Sequence, residues 1–168
     1  MKNEGINMIV IKLIQQLKCV LKKIVLKILF RKKLKMGDNL KFRKNFSIVI
    51  ENNGEIIIGK NVFFNNYCSV NSMERIVIED NCIFGECVKI YDHNHRFSNL
   101  NKKIAEQGYS LGEIYIEKNC WIGSNVVILK GVHIGEGSVI GANCTISEDL
   151  SPLSVVTVKG GISERVGK

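Results

Sequence analysis

The chain has 168 residues, 24 Lys and Arg against 16 Asp and Glu, a formal net charge of +8, one proline and fifteen glycines. That length suits one domain with a real core and an appended segment, and so little proline argues against collagen-like or wholly disordered sequence. The six cysteines show neither C-x-x-C pairing nor zinc-finger spacing, and no signal peptide with a small-residue cleavage site precedes them, so a reduced, cytoplasmic setting is expected.

The charge is unevenly placed. Residues 1–45 hold thirteen Lys/Arg against only Glu4 and Asp38, while residues 46–168 hold eleven against fourteen acids. The basic part reads as a helix: Leu13, Ile14, Leu17, Val20, Leu21, Ile24, Val25 and Ile28 follow the i, i+3, i+4 pattern, with Lys12, Lys18, Lys22, Lys23 and Lys27 opposite. Lysines interrupt every apolar run well short of the ~20 residues of a membrane span. Two readings stay open. The stripe packs on the rest of the protein or on a partner subunit, or residues 9–35 make a peripheral contact with an anionic membrane surface. Nucleic-acid binding is not expected, because no aromatic or recognition pattern accompanies the charge. The run Arg31–Lys35 suits the negative end of the helix dipole.

A six-residue period follows. Ile58-Gly59, Phe64 and Val70 keep its register, then Ile78, Phe84-Gly85 and Ile90, and most clearly Ile116, Ile122, Ile128, Ile134, Ile140 and Ile146. Six fits neither a helix nor a plain alternating strand; it fits three strand-and-corner units per coil of a parallel β-helix, with one inward aliphatic per unit. Each inward residue should stack on a counterpart about 18 residues away. Glycines after the aliphatic, at 123, 135 and 141, are expected to give backbone freedom at tight corners. Cys68, Cys82, Cys120 and Cys144 fall two residues before it and read as small hydrophobes.

Residues 92–113 interrupt the period, and a polar insertion of that length in a solenoid is more often functional than accidental. It opens with Asp92-His93-Asn94-His95. Imidazole is the default group for taking a proton from an alcohol near neutral pH. His133 sits one residue before an inward isoleucine and should face solvent. A zinc site would need it to join His93 and His95 across subunits, so no metal is expected.

The stretch Cys120-Trp121-Ile122-Gly123-Ser124-Asn125-Val126-Val127-Ile128-Leu129, with Gly131-Val132 and Val139-Ile140-Gly141-Ala142 after it, resembles the hexapeptide-repeat acyltransferases. Within them it is similar to the branch of maltose, galactoside and nodulation-factor acetyltransferases and polysaccharide O-acetyltransferases. The likeness covers residues 46–158. It implies an all-β solenoid, a left-handed parallel β-helix, and a homotrimer in which acetyl-CoA and a carbohydrate acceptor meet between subunits. The resemblance puts the catalytic base on His95, with His93 a close second and Asp92 one candidate to orient the imidazole. It puts Asn65 and Trp121 beside the acceptor. It also puts Gly123, Ser124 and Ala142 along the cofactor, the Ser124 N–H facing the thioester oxygen. Where the family often has Thr-Lys near the nucleotide phosphates this chain has Ser147-Glu148, and its usual closing segment is replaced by Val158-Lys159-Gly160-Gly161. That leaves Ser147 and Lys159, or Arg165 and Lys168, to substitute.

The expected organisation is a basic helix and linker over 1–45, a β-helix acyltransferase domain over 46–158 and a tail over 159–168. The expected activity is transfer of acetyl from acetyl-CoA to a hydroxyl of a cell-surface polysaccharide or its lipid-linked precursor. A small soluble sugar or amino sugar as acceptor, or a non-catalytic assembly module, stands as the alternative.

Overall fold

Short strands recur in threes, and strands one coil apart pair in parallel. In the computed structural model, which describes residues 2–158 and 161–164, they stack into a three-faced solenoid of about six turns. The first face holds Leu34–Met36, Glu55–Ile58, Arg75–Ile78, Ile114–Ile116 and His133–Ile134. The second holds Lys41–Phe42, Phe63–Phe64, Ile83–Phe84, Trp121–Ile122, Val139–Ile140 and Ser154–Thr157. The third holds Ser47–Ile50, Ser69–Ser72, Lys89–Tyr91, Val127–Ile128 and Thr145–Ile146.

The six-step isoleucines line the interior and are all buried. Ile116 pairs with Ile134, Ile122 with Ile140 and Ile128 with Ile146, steps of 18 residues. Burying each such side chain contributes about 1.5–3 kcal/mol. Lower in the stack Phe42, Phe64 and Phe84 take the isoleucine position, and with Phe46 they form a column of stacked or tilted rings with centroids 4.7, 4.6 and 4.4 Å apart. The four hexad cysteines are buried free thiols, and burial pushes the Cys68 thiol above its ordinary pKa.

The corners differ from expectation. The left-handed backbone needed to turn is adopted not by the glycine after each inward residue but by a residue two positions later. Asn61, Asn81 and Asn119 do so on one edge, and Asn45, Asn125 and Asn143 on the next, with φ between 55° and 64°. Asparagine tolerates that region because its amide bonds locally. Here the amides form ladders up the edges, Asn39 to Asn61 (2.9 Å), Asn61 to Asn81 (3.1 Å) and Asn125 to Asn143 (3.0 Å). Gly123 serves another purpose. A Cβ there would lie 2.6 Å from the Ala142 nitrogen of the next coil, so glycine lets the coils close up.

All length variation falls on one edge, between the third and first faces. The other two edges keep the six-residue step in every coil, but Val70 to Ile78 takes eight residues and Ile90 to Ile116 contains the whole insertion. The solenoid also starts early. Leu34 pairs with Ile56 and Phe42 with Phe64, so residues 34–45 are strand and corner, not linker. The step there is 22 residues, because Glu51–Gly54 lengthen the same variable edge.

The helix Lys2–Phe30 covers the first coil with its more polar side. Cys19 and Leu26 are buried against the core, and Phe30 packs on it. Lys23 Nζ donates to Leu40 O (2.9 Å) and Lys22 Nζ to Phe46 O. Burial lowers the Lys22 pKa. The stripe Leu13, Ile14, Leu17, Val20, Leu21, Ile24, Val25 and Ile28 faces away from the solenoid and is exposed, so packing on its own domain is not its role. At the other end, Gly161–Glu164 pairs antiparallel with Ser154–Thr157.

Candidate active site

The insertion is a hairpin rising from the variable edge. His93–His95 pairs antiparallel with Tyr109–Leu111, placing His93 opposite Leu111 and His95 opposite Tyr109. Its base is fixed by Asp92, which is fully buried. Ser72 Oγ (2.6 Å), Met73 N (2.8 Å) and Glu74 N (2.9 Å) all donate to the Asp92 carboxylate. Asp92 Oδ1 then holds His93 Nδ1 at 2.9 Å, which fixes the ring and leaves Nε2 as its other nitrogen. Asp92 therefore orients His93, not His95. The His95 imidazole is exposed and rests on the Tyr109 ring, centroids 4.5 Å apart. Tyr109 also meets His93 edge-on at 5.6 Å.

A second group lies on the neighbouring edge, between the second and third faces. Asn65 Oδ1 accepts from Arg43 Nη1 (3.3 Å) and from Asn66 N (2.9 Å). Ser124 and Ala142 follow one coil apart on the same edge, joined by Asn143 N donating to Ser124 O (2.9 Å). Among the described residues no acceptor pairs with the backbone N–H of Ser124 or of Ala142. The matching N–H groups lower down are satisfied: Glu86 N donates to Ser124 Oγ (3.1 Å) and Asn66 N to Asn65 Oδ1. Two preorganised, unpartnered donors thus stand in line, the arrangement that binds a carbonyl oxygen as it gains charge. Trp121 is 57% exposed on the outer surface of the second face, between Ile83 and Val139.

Of the expected site residues, the structure brings Asn65, Gly123, Ser124 and Ala142 together along one edge, with Trp121 beside them, and puts Asp92, His93 and His95 on the next. No hydrogen bond or ring contact joins the two groups among the described residues. Ser147 is exposed on the variable edge, the one that carries the hairpin, and not on the edge of Ser124 and Ala142. Lys159, Arg165 and Lys168 lie outside the described residues. His133 faces out, with Nε2 on Glu117 Oε1 at 2.8 Å. No group of three His, Cys, Asp or Glu is placed to hold a metal among the described residues.

Two residues of the site carry no signal in the sequence. Tyr109 enters only because the hairpin folds back on itself, and nothing in an aperiodic stretch marks that register. Ser72 reaches Asp92 because the coils stack, 20 residues apart in sequence.

The bacterial transferase hexapeptide (six repeats) model matches residues 113–148. A provisionally named acetyltransferase of Schizosaccharomyces pombe is 38% identical over 95 residues, 56% of this chain and 44% of its own. The galactoside O-acetyltransferase of Lactococcus lactis is 35% identical over 99 residues, 55% of this chain and 46% of its own. The chain thus spans about half the length of the curated relatives it matches. Among solved structures, the hexapeptide-repeat acetyltransferase VCA0836 of Vibrio cholerae, complexed with acetyl-coenzyme A, superposes with a TM-score of 0.68 at 25% identity, covering 84% of this chain and 76% of that one. A galactoside acetyltransferase complexed with coenzyme A shares the fold, with a TM-score of 0.66 at 24% identity over 84% of this chain and 70% of that one. With the repeat, the stacked parallel faces and these likenesses in agreement, residues 113–148 carry the bacterial transferase hexapeptide repeat and the chain has the left-handed β-helix fold of the acetyltransferases it resembles.

Proposed function

We propose that this protein transfers an acetyl group from acetyl-CoA to a hydroxyl of a cell-surface polysaccharide or its lipid-linked precursor. The observation that carries the reading is the pair of unpartnered N–H groups at Ser124 and Ala142, one coil apart and beside Asn65. Such donors fit the carbonyl groups of an acylated pantetheine arm, and a similar solved structure is complexed with acetyl-coenzyme A.

The residues divide the chemistry as follows. His95 takes the proton from the attacking hydroxyl and returns it to the departing thiolate sulfur, help typically worth ~10²–10⁴ in rate. The Ser124 N–H stabilises the oxyanion as the carbonyl becomes tetrahedral, ~10²–10³ for one well-aimed donor. Asn65 and Trp121 position the acceptor. The histidine edge of one subunit and the donor edge of another make one site, and a homotrimer supplies three such pairings. Glu148 would repel a nucleotide phosphate and Ser147 brings a hydroxyl but no charge, so the cationic tail, including Lys159, takes that contact.

One observation favours a second assignment of the base. His93, not His95, has the buried carboxylate at 2.9 Å, the usual way to fix an imidazole tautomer. Thiol release from acetyl-CoA with a panel of glycans decides both questions. His95→Ala should lower turnover by ~10²–10⁴ and His93→Ala by less. The reverse order moves the base to His93, and no loss in either variant removes the histidine mechanism. A preference for free mono- or disaccharides over polymeric and lipid-linked acceptors would assign the small-sugar alternative.

A further inference from the structure

The N-terminal helix is mounted the opposite way from an ordinary surface helix. Its side toward the solenoid carries Gln15, Gln16, Cys19, Lys22, Lys23 and Leu26, with Lys18 and Val20 at the borders, and its outer side is apolar. At 100° per residue, Val10, Leu13, Ile14, Leu17, Val20, Leu21, Ile24, Val25 and Ile28 occupy a continuous outward arc of about 140°. Every one of them is at least 47% exposed, Leu17 at 60% and Ile28 at 67%. From Val10 to Ile28 the stripe runs about 27 Å. An apolar surface this long and unbroken needs an occupant.

The charges beside it say which. Lys18 and Lys27 are exposed on its two flanks, and Arg31 and Lys32 continue from its end. None of the four takes part in an ion pair among the described residues. An apolar band bordered by unpaired cations matches the chemistry of an anionic lipid surface, where acyl chains accept the band and headgroups meet the lysines. A second copy of the helix fits less well: the arc is broader than the two-in-seven seam of a helix pair, and both copies would bring the same cations to its borders. No helix of the described residues is long and apolar enough to cross a membrane. The helix is also fixed by its other side, through Cys19, Leu26 and the two lysine hydrogen bonds, so the outer face is presented ready-made.

We infer that the outward face of this helix is an in-plane docking surface for anionic phospholipid bilayers. The inference is independent of acetyl transfer, and its test uses neither cofactor nor acceptor. The full chain is sedimented with vesicles of phosphatidylcholine alone and with phosphatidylglycerol added, and its oligomeric state is read by light scattering. The wild type should bind the anionic vesicles at least tenfold more tightly than the neutral ones. Leu17→Glu with Leu21→Glu should cut anionic binding by at least tenfold, and Lys18→Gln with Lys27→Gln by about fivefold per charge removed. All forms should keep the wild-type oligomeric state and unfolding midpoint, since all four substituted side chains are exposed. Unchanged vesicle binding by the Leu17/Leu21 variant would overturn the inference. So would a fall in its oligomeric state, which would assign the stripe to another copy of the chain.

Discussion

Single residues at the site divide by what the six-step period can reveal. Asn65, Gly123, Ser124 and Ala142 stand at fixed offsets from an inward residue, so register alone locates them on an edge. Asp92 and His93 lie past the break, and only the stacked coils show that Asp92 is held by Ser72, Met73 and Glu74 and passes that rigidity to His93. The same stacking produces a polar cluster the sequence hides. Glu117 accepts from Glu136 N (2.7 Å) and from His133 Nε2 (2.8 Å), and these bonds hold its carboxyl below the usual carboxylate range. A depressed carboxylate pKa stabilises the fold above its unfolded value, near 4.3, and that contribution disappears as pH falls through the folded value. Glu117→Gln should therefore lower the denaturant midpoint slightly at pH 7, and the difference from wild type should close below about pH 4. Because Glu117 is solvent-accessible the effect is small. A difference that stays constant with pH would show that packing rather than charge is responsible.

Among the elements, the upper coils were legible because a strict six-residue step leaves one inward position per strand and no freedom in register. The first coil was not. Its four-residue excess at Glu51–Gly54 shifts the frame, Phe42 stands where the isoleucine column leads one to look for an aliphatic, and Leu40 and Phe46 fill positions that are small higher up. The helix was legible as amphipathic, but which side would face the solenoid was not, because hydrophobicity argues for the wrong one. Backbone chemistry decides it. In this stack each corner carbonyl accepts an N–H from the coil before, as Val62 O does from Lys41 N and Cys68 O from Ser47 N. The first coil has no predecessor, and Lys23 and Lys22 fill the vacant places at Leu40 O and Phe46 O. Replacing both lysines with methionine keeps the aliphatic stems and removes only the donors. The loss should be about 1 kcal/mol for each bond, read as a lower denaturant midpoint. An unchanged midpoint would mean that Cys19, Leu26 and Phe30 alone hold the helix.

At the scale of the whole molecule, the two halves of the proposed site occupy different edges of one solenoid, a fact no repeat period contains. Assembly is what would unite them, and it can be tested by complementation. One variant carries His93→Ala with His95→Ala, and the other Ala142→Tyr to obstruct the cofactor edge. Each alone should be inactive. Mixed, denatured and refolded together, they should recover roughly a quarter of wild-type activity by random assortment. No recovery would place each complete site within a single chain. The height of the hairpin matters as well. It leaves the third coil, two strand spacings or about 10 Å above the first. With the helix flat on a bilayer, the histidines would work a short distance above the headgroups, where the sugar of a lipid-linked glycan is carried.

The plugs at the two ends of the solenoid have one more consequence. A stack of parallel coils is in principle endless, since its last rung displays the same unpaired groups that joined all the others. This chain covers one terminus with a helix and lysines, and at the other it covers the edge of the second face with a reversed strand, Gly161–Glu164. The two stoppers are unlike each other and neither complements the opposite terminus. Head-to-tail addition would have to mate a helix-covered rung with one whose second face ends antiparallel, which works against fibre growth by a molecule built as a repeating column.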